Sequence, residues 1–247
     1  MSLAIVSHSA AAPFHVFAPL ARTNACADCG ARHGLCATVR AADLGRFATM
    51  RSTQSVAGGT TFADEGEAAL NVFSVTSGTV RLFKLLPDGR RQIVGFLLPG
   101  DLFGFTPGES YTASAEAVDE VTLCRVPRRQ LERALVEFPG MERQLLDLVA
   151  RELAAAQDQM LLLGRKTAHE RVASFLLGLD RRTGEKGWID LPMTRTDIAD
   201  YLGLTTETVS RVFTVLKGSG CIALAGSKVR IADPEALAEL ADGADER

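Results

Sequence analysis

Apolar and polar positions change rhythm twice along this chain. Between about Gln54 and Arg128 the apolar residues fall in short runs: QSVAGGTTF, NVFSVTSGTVRLFKLL, RQIVGFLL, YTASAEA and VTLCRVP. Positions alternate at Val80, Leu82 and Lys84, and again at Thr122, Cys124 and Val126, the period of a strand. Gly58-Gly59, Ser77-Gly78, Pro87-Asp88-Gly89-Arg90 and Pro99-Gly100-Asp101 supply the turns. Short strands at near-regular spacing predict a small barrel or jelly roll.

After Pro139-Gly140 the rhythm becomes helical. Residues 141–163 hold no Gly or Pro and are rich in Leu, Ala, Glu, Gln and Arg, all strong helix formers. Leu146, Val149, Leu153, Ala156, Met160 and Leu163 recur at spacings of 3-4-3-4-3, a seam that predicts pairing between two copies of the helix. Leu145, Leu148 and Leu162 make a second apolar face, suited to covering the barrel. The plainer alternative is a helix packed on its own barrel alone.

Residues 167–183 read as a further helix, and Trp188-Ile189-Asp190-Leu191 as a strand. A helix over Arg195–Leu202, a turn at Gly203-Leu204-Thr205 and a helix over Thr206–Lys217 follow, and residues 221–232 read as a two-stranded wing. Ile198, Ala199 and Leu202 face inward from the first of these helices, and Val209, Val212, Phe213 and Leu216 from the second. That is the pattern of a helix-turn-helix. Its outer face presents Thr206, Glu207, Ser210 and Arg211. Arg can grip guanine O6 and N7, and Glu can accept from cytosine N4, in the major groove. Arg195, Lys217, Lys228 and Arg230 are candidate phosphate contacts, against the alternative of plain solvated charges. Double-stranded DNA is the expected partner.

These readings give an α+β chain in four parts. Residues 1–40 are mostly loop, residues 41–138 form the barrel, residues 139–164 the long helix, and residues 165–247 the winged helix-turn-helix domain.

Composition taken as a whole opposes a nucleic-acid partner, because 27 Lys and Arg stand against 30 Asp and Glu, a net charge of −3. Placement reverses that. Residues 165–230 carry 11 basic and 7 acidic residues, a net of +4, while residues 231–247 carry 1 and 6, a net of −5. Screening confines each field to roughly 8 Å, so a basic block inside an acidic chain still meets phosphate. A 47% hydrophobic, 23% charged composition excludes a disordered chain. With neither a basic, signal-like start nor a membrane-length apolar run, a cytoplasmic protein is expected.

Cys26, Cys29 and Cys36 cluster as C-x2-C-x6-C, whereas Cys124 and Cys221 stand apart. Clustered thiols in an intracellular chain suggest a metal before a disulfide. Cys221, amid Ile222, Ala223 and Leu224, reads as a small packed residue.

The runs GTVRLFKLLPDGRRQIVGFLLPGDLFGF (78–105), MLLLGRKTAHERVASFL (160–176) and LGLTTETVSRVF (202–213) resemble the CRP/FNR superfamily of transcription regulators over nearly the whole chain. The resemblance implies a cupin-like, jelly-roll sensor barrel, a dimerisation helix and a DNA-reading winged helix. In the oxygen-sensing FNR branch the recognition helix carries E-x-x-S-R, matched here by Glu207, Ser210 and Arg211. That likeness implies TTGAT-type palindromic sites. It also implies that Cys26, Cys29, Cys36 and Cys124 hold a [4Fe–4S] cluster, since four thiolates are the ligand set such a cluster takes. Expected partners are a second copy of the chain and RNA polymerase, the latter through surface loops such as the 85–91 turn. Cyclic AMP is not expected: no Arg lies between Arg91 and Arg125 to neutralise its phosphate. Where the best-known FNR-type sensors carry an acidic residue in the dimer stripe this chain has Ala156, which predicts tighter dimers, although Glu152 and Asp158 lie nearby.

Other inputs fit the same frame. A haem- or nitric-oxide-responsive regulator would not need all four cysteines, and a structural zinc would use three of them with His33. A cupin-like enzyme would need a His/Glu metal triad, but His8, His15, His33 and His169 lie outside the expected strands. No enzyme activity is expected.

Overall fold

Short β-branched and aromatic runs between glycine turns build the first half. The strands are β1 (Ser52–Val56), β2 (Thr61–Ala63), β3 (Asn71–Ser77), β4 (Val80–Leu85), β5 (Arg91–Leu97), β6 (Leu102–Phe103), β7 (Ser114–Ala117) and β8 (Val121–Pro127). They form two antiparallel four-stranded sheets, ordered β1-β8-β3-β6 and β2-β7-β4-β5. The structure is a computed structural model and describes residues 26, 29, 31, 34–184 and 187–243. Val56, Val75, Val80, Leu97, Phe103, Val121 and Leu123 meet between the sheets, each such burial being worth roughly 1.5–3 kcal/mol. Phe62, Phe73, Phe103 and Tyr111 form an aromatic cluster in the same core.

One of the two alternating runs is broken and the other is kept. A bulge between Leu82 and Phe83 breaks β4, so that Phe83 is buried, Leu82 half-buried and Lys84 exposed. In β8 the barrel core takes Val121 and Leu123, while Cys124 and Val126 turn to the opposite face and join a second core. That outer core is built by a 3-10 turn at Leu35–Thr38, the short helix α1 (Leu44–Ala48), α2 (Arg128–Glu137) and the start of α3 (Met141–Arg165). Cys26, Leu35, Phe47, Leu131, Met141 and Leu145 are among its buried members. Helix α2 falls in a stretch read only as barrel. Its apolar face is Leu131, Ala134 and Leu135, at the i, i+3, i+4 spacing of a helix.

Helix α3 divides its faces. Leu145 is buried in the outer core with Leu148 packed beside it, and Leu162 is buried in the C-terminal core. Leu146, Val149, Leu153 and Met160 are exposed, as is Ala156; Leu163 is half-buried. Helix α4 (Ala168–Thr183) starts at a capping box between Thr167 and Glu170. Next come β9 (Ile189–Asp190), α5 (Arg195–Leu202), α6 (Thr206–Gly218), β10 (Ile222–Ala225), β11 (Lys228–Ile231) and α7 (Pro234–Ala241). The wing gains β9 as a third strand, in the order β10-β11-β9. Within the acidic tail, α7 begins with Asp233 as N-cap and Pro234 in the first turn, a start signal that the charge count obscured.

Candidate functional site

Two sites emerge, one at each end of the chain. In the helix-turn-helix, Ile198, Ala199, Leu202, Val209, Val212, Phe213 and Leu216 are buried together. Thr194 caps α5 in a box with Asp197, and the Thr205 side chain accepts from the Thr208 amide to cap α6. Gly203 between them adopts φ +62, with Leu163 and the Arg171 guanidinium close against it. These constraints set the exposed face of α6. Thr206, Glu207, Ser210, Arg211 and Lys217 all lie on it. Arg211 and Glu207 form an ion pair one turn apart, and Ser210 Oγ donates to the Thr206 carbonyl at 2.8 Å.

The outlying cations are more constrained. The Arg195 guanidinium lies 3.6 Å from the Phe213 ring centroid, and partial burial pulls its pKa down. Arg230 stacks 5.1 Å from the Trp188 ring centroid, and Lys228 pairs with Asp190 at 3.3 Å. Arg195 is thus a stacked, half-buried residue, whereas Lys217 stands in solvent.

At the other end, Cys26, Cys29, Cys36 and Cys124 line one cavity of about 290 Å³ on the outer face of the β1-β8-β3 sheet. Strand alternation aims Cys124 there, the 3-10 turn carries Cys36, and Cys26 and Cys29 come from the chain before it. Gly34 allows this segment to lie flat: a Cβ at Gly34 would stand 2.5 Å from the Gly100 carbonyl oxygen. Gln144 Nε2 of α3 donates to the Gly34 carbonyl at 3.3 Å, and Leu35 packs with Met141 and Leu145. Enclosure pushes the Cys124 thiol up to about 12, with Arg51 pulling against it and Cys36, Cys26 and Cys29 adding to it. Among the described residues, no three His, Cys, Asp or Glu side chains gather closely enough to hold a single metal ion.

Arg51, which the sequence reading passed over, also lines the cavity. Its Nη2 donates to Cys26 Sγ at 3.3 Å. Burial alone would lower its pKa, but the bond to Cys26 and the thiols of Cys124 and Cys29 outweigh that and raise it. No local motif marks it, because its partner lies 25 residues earlier. His8, His15 and His33 fall outside the described residues, and His169 is exposed on α4.

Family models match both halves: a "cyclic nucleotide-binding domain" over residues 53–138 and a "Crp-like helix-turn-helix domain" over residues 170–240. The nitrogen fixation regulation protein FixK of Bradyrhizobium diazoefficiens is 42% identical over 221 residues, covering 87% of this chain and 93% of that protein. This chain belongs to the CRP/FNR family of transcription regulators. The transcriptional activator Anr of Pseudomonas aeruginosa is 40% identical over 185 residues, 72% of this chain and 76% of that one. A solved structure of FixK2 from Bradyrhizobium japonicum matches with a TM-score of 0.73 and 44% identity, over 77% of this chain and 96% of that one. CRP/FNR members are regulators rather than enzymes, bind DNA and generally act as dimers, and this chain carries their order of barrel, long helix and helix-turn-helix. Among the described residues no helix is long and apolar enough to cross a membrane.

Proposed function

We propose that this CRP/FNR regulator is a cytoplasmic oxygen sensor in which Cys26, Cys29, Cys36 and Cys124 hold a [4Fe–4S] cluster. The observation that carries this reading is the convergence of the four thiols on one cavity. The donor set fits: soft thiolates, four in number, from two separate segments. When bound, such a cluster supplies an oxygen-labile joint between the N-terminal segment and β8.

The chain's own residues transmit that joint. Cys26, Cys29 and Cys36, tied to Cys124, hold Gly34 and Leu35 against the first turns of α3 through Gln144, Met141 and Leu145. The exposed stripe of Leu146, Val149, Leu153, Ala156 and Met160 follows directly and pairs with its copy, Leu163 closing the seam from a half-buried position. Pairing sets two α6 helices about 34 Å apart, the spacing of a palindromic operator. Arg211 and Glu207 then exchange their mutual ion pair for bases of a TTGAT-type half-site, beside Ser210 and Thr206, and Lys217 meets phosphate. A coupling of about 1–3 kcal/mol between joint and dimer is enough to switch occupancy.

The 85–91 turn, exposed from Leu85 to Arg90, is the surface offered to RNA polymerase. Cyclic AMP is not the input in this reading. The barrel interior is filled by Phe62, Phe73, Phe103 and Tyr111, and no Arg between Arg91 and Arg125 is there to neutralise its phosphate.

The test is an iron and acid-labile sulfide assay, with absorption spectra, on protein purified without oxygen, beside Cys124→Ala. Iron and sulfide in equal amounts, lost in the variant and on exposure to air together with operator binding, are expected. Zinc without sulfide, or operator binding indifferent to air, would overturn the proposal.

A further inference from the structure

We propose that Arg51 is the positioning residue of the four-cysteine cavity, its guanidinium serving as counter-cation to the thiolates and orienting Cys26 for an iron–sulfur group. This rests on the four-cysteine reading above.

Among the described residues, Arg51 is the one cation among the side chains that line the cavity. Its fork is already committed in two directions. Nη2 donates to Cys26 Sγ at 3.3 Å, and Nη1 donates to Thr53 Oγ1 on β1, which fixes the plane of the guanidinium against the sheet. The third donor, Nε, is buried and meets no acceptor. A buried N–H without a partner is costly, and native proteins rarely leave one without a reason. The remainder of the lining explains why a cation belongs here. Val72, Val126, Leu35, Phe47, Leu102 and Leu131 give the thiols a largely apolar shell. Four thiolates around iron and sulfide carry net negative charge, and an anion in apolar surroundings needs a cation and hydrogen-bond donors to be stable there. Arg51 supplies both from a backbone position just before β1, outside the cysteine-bearing segments. Outer-shell partners of this kind orient ligands and tune the electronics of the group they surround.

Charge and geometry separate experimentally. Arg51→Met keeps the apolar stem and removes the cation; Arg51→Lys keeps the cation and removes the fork. Wild-type and variant proteins are reconstituted without oxygen using iron, sulfide and reductant, then read by chelator challenge and by a mediated redox titration of the visible spectrum. Arg51→Met is expected to release iron to the chelator about ten-fold faster than wild type and to show a lower midpoint potential, because loss of a nearby positive charge disfavours the added electron. Arg51→Lys is expected to recover the potential but only part of the chelator resistance. Circular dichroism and urea unfolding of the metal-free variants separate these effects from misfolding. If Arg51→Met matches wild type in both release rate and potential, the role of Arg51 is overturned while the four-cysteine reading stands. If wild type itself takes up no iron and sulfide, that reading falls and Arg51 with it.

Discussion

Asp197, in the first turn of α5, accepts a hydrogen bond at 2.9 Å from Nη1 of Arg81, on strand β4 of the barrel. The same carboxylate oxygen accepts from Arg91 Nη2 at 3.0 Å, while its other oxygen accepts from the Thr194 amide at 3.0 Å and the Thr194 hydroxyl at 2.7 Å. One side chain therefore closes the helix cap and clasps the reading head to the barrel. Arg91 reaches on to Asp200 at 2.8 Å, and Gln92 Nε2 donates to the Asp200 carbonyl at 2.6 Å.

With its side chain 2% exposed, Asp197 cannot be traded for water. Removing one partner of a buried charge pair costs about 3–5 kcal/mol, and Asp197 is also the N3 member of the Thr194 capping box. Asp197→Ala is expected to lower unfolding stability by about 3 kcal/mol, the low end of that range, since Glu116 and Asp200 still pair with the arginines. Urea denaturation measures this. A change under 1 kcal/mol would show that the clasp is not made in solution.

Tyr201 sits beside that clasp, packed against Phe96 at 5.3 Å and Phe175 at 5.9 Å between ring centroids. Burial, with Glu152 nearby, raises its pKa above the ordinary 10.0, against the opposing pull of Arg182. The unfolded chain therefore ionises this phenol first as pH rises. Stability contributed by the neutral phenol is full below about 10 and is lost above it, at up to roughly 1.4 kcal/mol per pH unit. Tyr201→Phe is expected to flatten the fall in stability between pH 10 and 11 relative to wild type; parallel curves would contradict the burial.

On α6, Arg211→Ala is expected to weaken binding to a TTGAT-type palindrome by about 1–3 kcal/mol and to relax preference at the contacted guanine. Lys217→Ala is expected to weaken all sequences alike and to reduce the salt slope of log K by about 1. Fluorescence anisotropy across a salt series distinguishes the two.

Arg195 behaves differently because it is stacked on Phe213. Its replacement by Ala is expected to cost about 1 kcal/mol of stability and to leave the salt slope nearly unchanged. A slope falling by a full unit would restore it as a phosphate contact.

The stripe on α3 has no acidic residue at Ala156, and Glu152 instead lines the groove beside Asp101 and Arg182, where burial raises its pKa. Air-exposed protein is expected to remain at least partly dimeric at micromolar concentration, and Leu153→Asp to convert it to monomer. Sedimentation velocity decides; a clean wild-type monomer in air would refute the expectation.

Local order was legible in the sequence where a single period governs it. The 3.6-residue pattern and the Gly203-Leu204-Thr205 turn placed α5 and α6 nearly to the residue, because turn chemistry and apolar spacing act within one or two turns. The two faces of α3 were legible for the same reason. What only the tertiary structure decided is who meets whom. The bulge at Leu82 and Phe83, the turning of Cys124 to the outer face, Arg51 beside Cys26, and Asp197 between Arg81 and Arg91 all depend on partners in other elements, from 10 to 116 residues away. Hydrophobic periodicity fixes which face of an element is buried. It carries no information about which distant charge that burial leaves in need of a partner, and that need is set by the low polarity of the assembled core.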